Sequence, residues 1–398
     1  MKKKRLAMIV PSLSDGGAEK VAANLSIIYK ELGYEVYIIL YENRVSFDYE
    51  GEIIDLKIAR RQGINKIFKD YEIYSKLKKV KKEYNFDVVI SHLPKTDLMN
   101  CLTKQNEKVI TTIHNNIDID YPTYMKKMLP YIIKKSDLIA SVSKVGEEYL
   151  RNNYGARNAK TIYNPQILDN IQNISLEKVT ELPLETFENE VLINIGRLNV
   201  QKGQWHLIRA FKKVVEIKKN AKLLIVGRGE LEERLKNLAL KLGIEKNVIF
   251  VGFNKNPYKF IKHSDLYVGT SLYEGFGMTI VEAMSLGVPA ISTDCISGPR
   301  EIIAPSLFGK EINYSNIQEY GMLIEDFGNN DSIDDTNINE YEEKLAKDII
   351  RLLDDKDNYN ELSKKSKERS QIYKRVMHYA VFEIPNAFSH RNKVISGD

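Results

Sequence analysis

The chain has 398 residues, 43% hydrophobic and 28% charged, an ordinary globular composition with room for two domains and two substantial cores. Its formal net charge is +5, with the whole excess in residues 1–185 and none in residues 186–398. There is no apolar run long enough to cross a bilayer, Lys2–Arg5 leads into a short strand pattern rather than a signal-peptide core, and Cys101 and Cys295 form no redox or ligand pattern, so a reduced cytoplasmic setting is expected.

Apolar β-rich runs alternate with helical patterns from end to end, which predicts parallel, doubly wound sheets. In the first half strands are expected at Leu6–Val10, Val36–Leu40, Val88–Ile90, Val109–Ile113 and Leu138–Val142, with helices near 18–32, 69–83, 122–135 and 143–153. The polar stretch 166–189 contains Pro183 and has no clear period; it is expected to link a domain over 1–166 to one over 186–371. There strands at Val191–Ile195, Lys222–Val226, Val248–Val251, Leu266–Gly269 and Val288–Ser292 alternate with helices near 203–218, 229–242, 256–262 and 278–286. A polar loop over 328–339 and a helical stretch around 341–384 follow. Ligands of such sheets bind at the carboxyl ends of the strands, and the candidate residues cluster there.

The first strand is followed by Gly16 and Gly17, which open a helix. Glycines here let backbone amides approach a phosphate or sugar, although an ordinary strand–helix turn would look the same. Residues 64–82 interleave Ile64, Ile67, Phe68, Tyr71, Ile73, Tyr74 and Leu77 with Lys66, Lys69, Lys76, Lys78, Lys79, Lys81 and Lys82, just after Arg60 and Arg61. This basic amphipathic pattern suits an anionic membrane surface and equally a solvated helix face packed on the sheet. It comes with no nucleic-acid-binding module, and no nucleic acid is expected as partner. His114 closes the strand Val109–Ile113, where it can offer a backbone carbonyl or a ring nitrogen, and His92 follows the strand before it. Asp118-Ile119-Asp120 lies several residues into a loop, no cluster has metal-ligand spacing, and neither metal nor cofactor is expected.

Two segments of the second half carry the sharpest chemistry. In Gly196-Arg197-Leu198-Asn199-Val200-Gln201-Lys202-Gly203 a fixed Arg and Lys stand at a strand end, suited to negative charge developing on a leaving group. In Glu274-Gly275-Phe276-Gly277-Met278-Thr279-Ile280-Val281-Glu282 two carboxylates stand eight positions apart across a strand, loop and helix. Gly275 and Gly277 allow close backbone approach, and the helix from Met278 offers unpaired N–H groups to an anion. Glu282, about one turn in, can accept two hydrogen bonds from a ribose diol, and Glu274 can reach hydroxyls of a sugar beyond a diphosphate. Together these residues are suited to gripping a nucleotide sugar.

The two Glu with Gly-Phe-Gly inside them resemble the signature of the retaining glycosyltransferases of family 4, and the likeness extends over most of the chain. It implies a GT-B fold, two Rossmann-like domains facing a central cleft, with the C-terminal helix, about 372–398, packed back on the acceptor-side first domain. It implies that Arg197 and Lys202, in the family's Gly-Arg-x4-Lys-Gly pattern, contact the diphosphate. Gly16 and Gly17 fall near the donor phosphates and acceptor, and His114 matches the family's site His. Gly275, Phe276, Gly277, Met278 and Thr279 then line the donor site between Glu274 and Glu282. Two segments depart from the family. Ser297-Gly298-Pro299-Arg300 stands before Glu301 in place of Gly-Gly, a variant associated with UDP-galactose or UDP-N-acetylgalactosamine donors, and Tyr163-Asn164-Pro165 replaces the commoner Asn-Gly. The expected activity is metal-independent, retaining transfer of a hexose (Gal, GalNAc or Glc type) from a UDP-sugar to a hydroxyl of a cell-envelope glycan or lipid-linked acceptor. The expected location is cytoplasmic, including the inner face of the membrane. The alternative is a nucleotide-sugar epimerase of the same fold; a non-enzymatic carbohydrate- or lipid-binding module fits poorly with intact Arg197, Lys202, Glu274 and Glu282.

Overall fold

The computed structural model describes residues 3–14, 16–58, 65–114, 116–327 and 332–386. Arg60, Arg61 and Ile64 of the basic stretch, the start of the loop at 328, and residues 387–398 of the expected returning helix lie outside this set. The chain divides into two compact units, Met1–Gln166 with Arg375–Asp398, and Ile167–Lys374.

The first unit carries β1 (Arg5–Val10), α1 (Gly17–Glu31), β2 (Glu35–Leu40), β3 (Glu52–Asp55), α2 (Asn65–Tyr84), β4 (Val88–His92), α3 (Pro94–Leu102), β5 (Lys108–Ile113), α4 (Ile117–Asp120), α5 (Thr123–Lys135), β6 (Leu138–Ser141), α6 (Lys144–Tyr154) and β7 (Ala159–Thr161). Its strands form one parallel sheet in the order β3-β2-β1-β4-β5-β6-β7. The strand cores are continuous apolar runs because both faces are covered, one cluster gathering Ile9, Ile39, Ile73, Leu77 and Val89 and another Val109, Met125, Leu129, Ile132 and Leu150. All carboxyl ends lie along one edge, which puts the turn before α1, His92 and His114 on the same side of the sheet.

The second unit carries α7 (Leu168–Ile174), β8 (Val191–Ile195), α8 (Gln204–Ile217), β9 (Lys222–Val226), α9 (Glu232–Lys241), β10 (Val248–Gly252), α10 (Tyr258–Lys262), β11 (Leu266–Gly269), α11 (Met278–Ser285), β12 (Ala290–Thr293), α12 (Pro299–Ile303), β13 (Met322–Ile324), α13 (Glu340–Asp354) and α14 (Lys356–Asn386), which runs on past its end. Its parallel sheet has the order β10-β9-β8-β11-β12-β13. Most of the stretch expected as a linker is folded here: α7 buries Leu168 and Ile171, Asn256 donates to the Ile174 carbonyl at 2.6 Å, and Lys259 pairs with Glu181 at 2.7 Å. α13 opens on a capping box in which Asn339 and Glu342 satisfy each other's backbone N–H groups.

One expected surface is altered by the fold. On α2, Ile73, Leu77 and Lys81 fall at four-residue intervals on the buried face. The Lys81 ammonium donates to the Asn100 carbonyl (2.9 Å), to Asn100 Oδ1 (2.6 Å) and to Glu107 (2.7 Å), with side chains 1% and 4% exposed. Lys81 is therefore an internal cross-link between α2, α3 and the turn before β5, not a surface charge. Lys76, by contrast, stays 40% exposed while donating to the carbonyls of Leu56 and Lys57. The exposed face holds Phe68 (60%) and Tyr71 (70%), with Lys78, Lys79 and Lys82 about two to four turns further on.

Candidate active site

In the second unit the loops after β8, β11 and β12 are fastened to one another. The loop 197–203 leans on the segment after β11: Leu272 N–H donates to the Gln201 carbonyl (2.8 Å), Gln201 Nε2 to the Tyr273 carbonyl (3.1 Å), and Thr270 Oγ1 to the Lys202 carbonyl (3.2 Å). Gly203 makes this approach possible, since it sits at φ +57 and a Cβ there would lie 2.3 Å from the Thr270 carbonyl oxygen. The result is a direct ion pair between the two segments, with Lys202 Nζ 2.5 Å from Glu274 Oε1. Ser271 Oγ donates to the same oxygen at 2.7 Å, which fixes the carboxylate. Arg197 is exposed at the carboxyl end of β8.

Glu274, Gly275, Phe276 and Gly277 form the bend into α11, with Gly277 as N-cap at φ +94. Met278 and Thr279 open that helix, and Thr279 Oγ1 bonds the buried Tyr267 hydroxyl at 2.7 Å. Glu282, the fifth residue of α11, is 2% exposed, with the Tyr258 hydroxyl 3.5 Å from its Oε1. Burial raises the Tyr267 phenol, and the charges of Glu274 and Glu282 raise it further; it stays a neutral hydrogen-bonding group near both acids. The Phe276 ring is buried edge-on against Tyr373 with centroids 5.4 Å apart, which leaves only its backbone for a ligand.

The segment after β12 closes on this bend. Ser297, strained at φ +70, has its hydroxyl 2.9 Å from the Glu274 carbonyl and 2.8 Å from the Gly275 carbonyl. Arg300 is committed to the Asp294 carboxylate, its Nε lying 2.9 and 3.0 Å from the two oxygens, while the Tyr314 hydroxyl donates to Asp294 at 2.8 Å. The Ser-Gly-Pro-Arg variant thus supplies a brace for the Glu274 bend and an internal ion pair. Burial raises the Cys295 thiol far out of the reactive range.

In the first unit Gly16 is the N-cap of α1 and Gly17 its first residue. A Cβ on Gly16 would lie 2.0 Å from a Glu19 carboxylate oxygen, so an acidic side chain folds over this helix start. Asp118 and Asp120 fall in α4, and Asp118 accepts from the Tyr149 hydroxyl at 2.6 Å. Among the described residues no group of three or more His, Cys, Asp or Glu is arranged to hold a metal ion. His92 and His114 are in contact: His92 Nδ1 lies 2.8 Å from His114 Nε2, both rings are buried, and burial lowers both, His114 to about 4 and His92 well below its ordinary value. Sequence alone offered no sign of this contact, of the Ser297 brace or of the Tyr267 hydroxyl, because each joins residues from separate elements; the Ser271 brace lies within the loop before α11, three residues from Glu274.

The family model described as Glycosyl transferases group 1 matches residues 183–343, and the one described as Glycosyltransferase Family 4 matches residues 15–168. An uncharacterized glycosyltransferase of Methanocaldococcus jannaschii is 35% identical over 348 residues, 80% of this chain and 86% of that protein. The chain belongs to the glycosyltransferases. This glycosyltransferase is also 27% identical over 326 residues to the N-acetylgalactosamine-N,N'-diacetylbacillosaminyl-diphospho-undecaprenol 4-alpha-N-acetylgalactosaminyltransferase of Campylobacter jejuni, covering 78% of this chain and 87% of the relative. Among solved structures it is similar to Anabaena HepE in complex with UDP and glucose, with TM-score 0.74, 15% identity, and coverage of 96% and 100% of the two chains. The glycosyltransferase therefore has the two-domain GT-B fold. No helix among its described residues is long and apolar enough to cross a membrane.

Proposed function

We propose that the protein transfers a hexose, of galactose, N-acetylgalactosamine or glucose type, from a UDP-sugar to a hydroxyl of a lipid-linked or other cell-envelope glycan, with retention and without a metal. The observation that carries this reading is the Lys202–Glu274 pair, a cation and an anion at 2.5 Å beside the first turn of α11. A nucleotide sugar presents that same junction, a diphosphate oxygen next to a sugar hydroxyl. Lys202 and Arg197 take the diphosphate, joined by the first-turn N–H groups at Met278 and Thr279. Glu282 takes the ribose diol. Glu274 takes sugar hydroxyls, with Gly275, Gly277 and the Phe276 backbone alongside, and Gly16, Gly17 and His114 of the first unit serve the phosphates, the reacting sugar and the acceptor.

Charge accumulates on the diphosphate as the glycosidic bond breaks, and two fixed cations stabilise it in the manner a metal would. No carboxylate is assigned to the far face of the sugar, which favours a front-side path in which the leaving phosphate receives the acceptor proton. The alpha linkage and the diphospho-undecaprenol acceptor in the Campylobacter relative's name support retention and a lipid-linked acceptor here. The UDP in the Anabaena structure supports the nucleotide. A lipid-linked acceptor brings the enzyme to the inner face of the membrane, where Lys78, Lys79 and Lys82 beside Phe68 and Tyr71 form the contact.

The test is incubation with UDP-galactose, UDP-N-acetylgalactosamine and UDP-glucose, with and without a polyprenyl-diphosphate-linked saccharide. Free UDP and an extended saccharide are expected only when both substrates are present. Interconversion of the UDP-sugars without acceptor would mark an epimerase instead.

A further inference from the structure

His92 and His114 end neighbouring parallel strands. His92 pairs in register with Thr112, and His114 lies two residues beyond it, past the end of β5. The rings meet at 34° with centroids 5.1 Å apart, and His92 is 0% exposed against 8% for His114. His92 thus lies beneath His114, and its backbone is fixed as well. The Thr96 hydroxyl donates to its carbonyl, Pro94 opens α3 two residues on, and Leu93 between them is strained at φ +85. This much constraint on a buried imidazole calls for a reason.

The protons supply it. The 2.8 Å contact needs one imidazole to donate and the other to accept, and burial keeps both rings neutral, with one N–H each. His92 Nε2 is buried and, among the described residues, has no hydrogen-bond partner. A buried N–H without an acceptor is the rarer defect, so the His92 proton belongs on Nδ1, where it donates to His114 Nε2. His114 Nε2 is then an acceptor and its own proton must be on Nδ1, which the geometry of the five-membered ring turns away from His92. Among the described residues no hydrogen bond engages that Nδ1.

We propose that His92 is a positioning residue that locks His114 in the Nδ1–H tautomer, presenting an N–H donor, and not a base, to an oxygen of the transferred sugar. This rests on the reading above that places His114 beside the reacting sugar. It also removes His114 as the acceptor of the nucleophile's proton, consistent with the leaving phosphate taking it.

Two measurements on the full chain decide the matter. In the first, long-range proton–nitrogen spectra of 15N-histidine-labelled wild type, with His114 assigned by loss of its signals in His114→Ala, are expected to show protonated Nδ1 and bare Nε2. A protonated Nε2 on His114 would overturn the proposal, and the tautomer itself is read on the wild type. The second is kinetic. His92→Leu fills the space without the hydrogen bond and should lower kcat about 10-fold or more while donor KM stays within about 3-fold. His92→Asn, whose amide can donate from near the place of Nδ1, should recover most of that loss. A folded His92→Leu enzyme with wild-type kcat would overturn the positioning role. Wild-type turnover in His114→Ala would instead show that the assignment of His114, and not the tautomer, is at fault.

Discussion

Glu274 and Glu282 are both carboxylates at the edge of one bend, and their surroundings divide their work. Glu282 is buried within α11 with the Tyr258 hydroxyl near it, while Glu274 is held by Ser271 and Lys202 at the mouth of the loop. Glu282→Ala should weaken binding of free UDP, because its partner is the nucleotide. Glu274→Ala should lower turnover and leave UDP affinity within about 3-fold, because its partner arrives only with the sugar. Calorimetry with UDP separates them, and equal losses in both variants would show that the roles are divided wrongly. Removing Glu274 also releases Lys202 from its ion pair, so a modest gain in UDP affinity is compatible with this division and a large loss is not.

At the scale of elements, the carboxyl ends of β4 and β5 carry a measurable consequence of burial. The folded-state values of His92 and His114 lie below the ordinary one, His114 at about 4, so the unfolded chain takes up these protons first as pH falls. Their contribution to stability is therefore whole above about pH 6.5 and drains away below it, by about 2 kcal/mol at pH 5 for His114 and in the same direction for His92. Buried Asp97, held above its ordinary range by desolvation, acts in the opposite sense, so the comparison must be made against a variant. Between pH 7 and pH 5 in urea titrations, wild type should lose more stability than His92→Leu/His114→Leu; parallel slopes would mean the imidazoles are protonated in the fold. Elements also explain what the sequence made legible. Arg197–Lys202 and Glu274–Glu282 each lie within one strand–loop–helix passage, and contiguous spacing reveals such groups. The histidine contact depends on strand register across 22 positions, which no local period encodes. Strands β3, β7 and β13 have only three or four residues, too short for an apolar run to stand out. Lys81 was readable in principle, since Ile73 and Leu77 set the buried phase of α2 and Lys81 continues it; the surrounding lysines hid it.

At the scale of the whole molecule, the charge excess of the first half divides into an internal and an external part. Lys78, Lys79 and Lys82 are exposed beyond Phe68 and Tyr71, whereas Lys81 is enclosed with Glu107. Replacing Lys78, Lys79 and Lys82 with Gln should abolish sedimentation with anionic vesicles at low salt, each lysine contributing about 1 kcal/mol, without loss of thermal stability. Lys81→Ala should instead destabilise the fold by about 3–5 kcal/mol, because the buried Glu107 would lose its counter-ion and Asn100 Oδ1 its donor. A wild type that ignores anionic vesicles would reduce the exposed lysines to a solvated face, and a Lys81→Ala variant as stable as wild type would contradict the internal cross-link. The proposed transfer depends on Lys202 and Arg197 serving a nucleotide-sugar leaving group, and one assay reaches it most directly: UDP release in EDTA from a UDP-sugar and a polyprenyl-diphosphate-linked saccharide, comparing wild type with Lys202→Ala and Arg197→Ala. The wild type is predicted to keep its full rate and the variants to lose about 100-fold or more in kcat. A wild type silenced by EDTA, or variants within a few fold of it, would contradict the account.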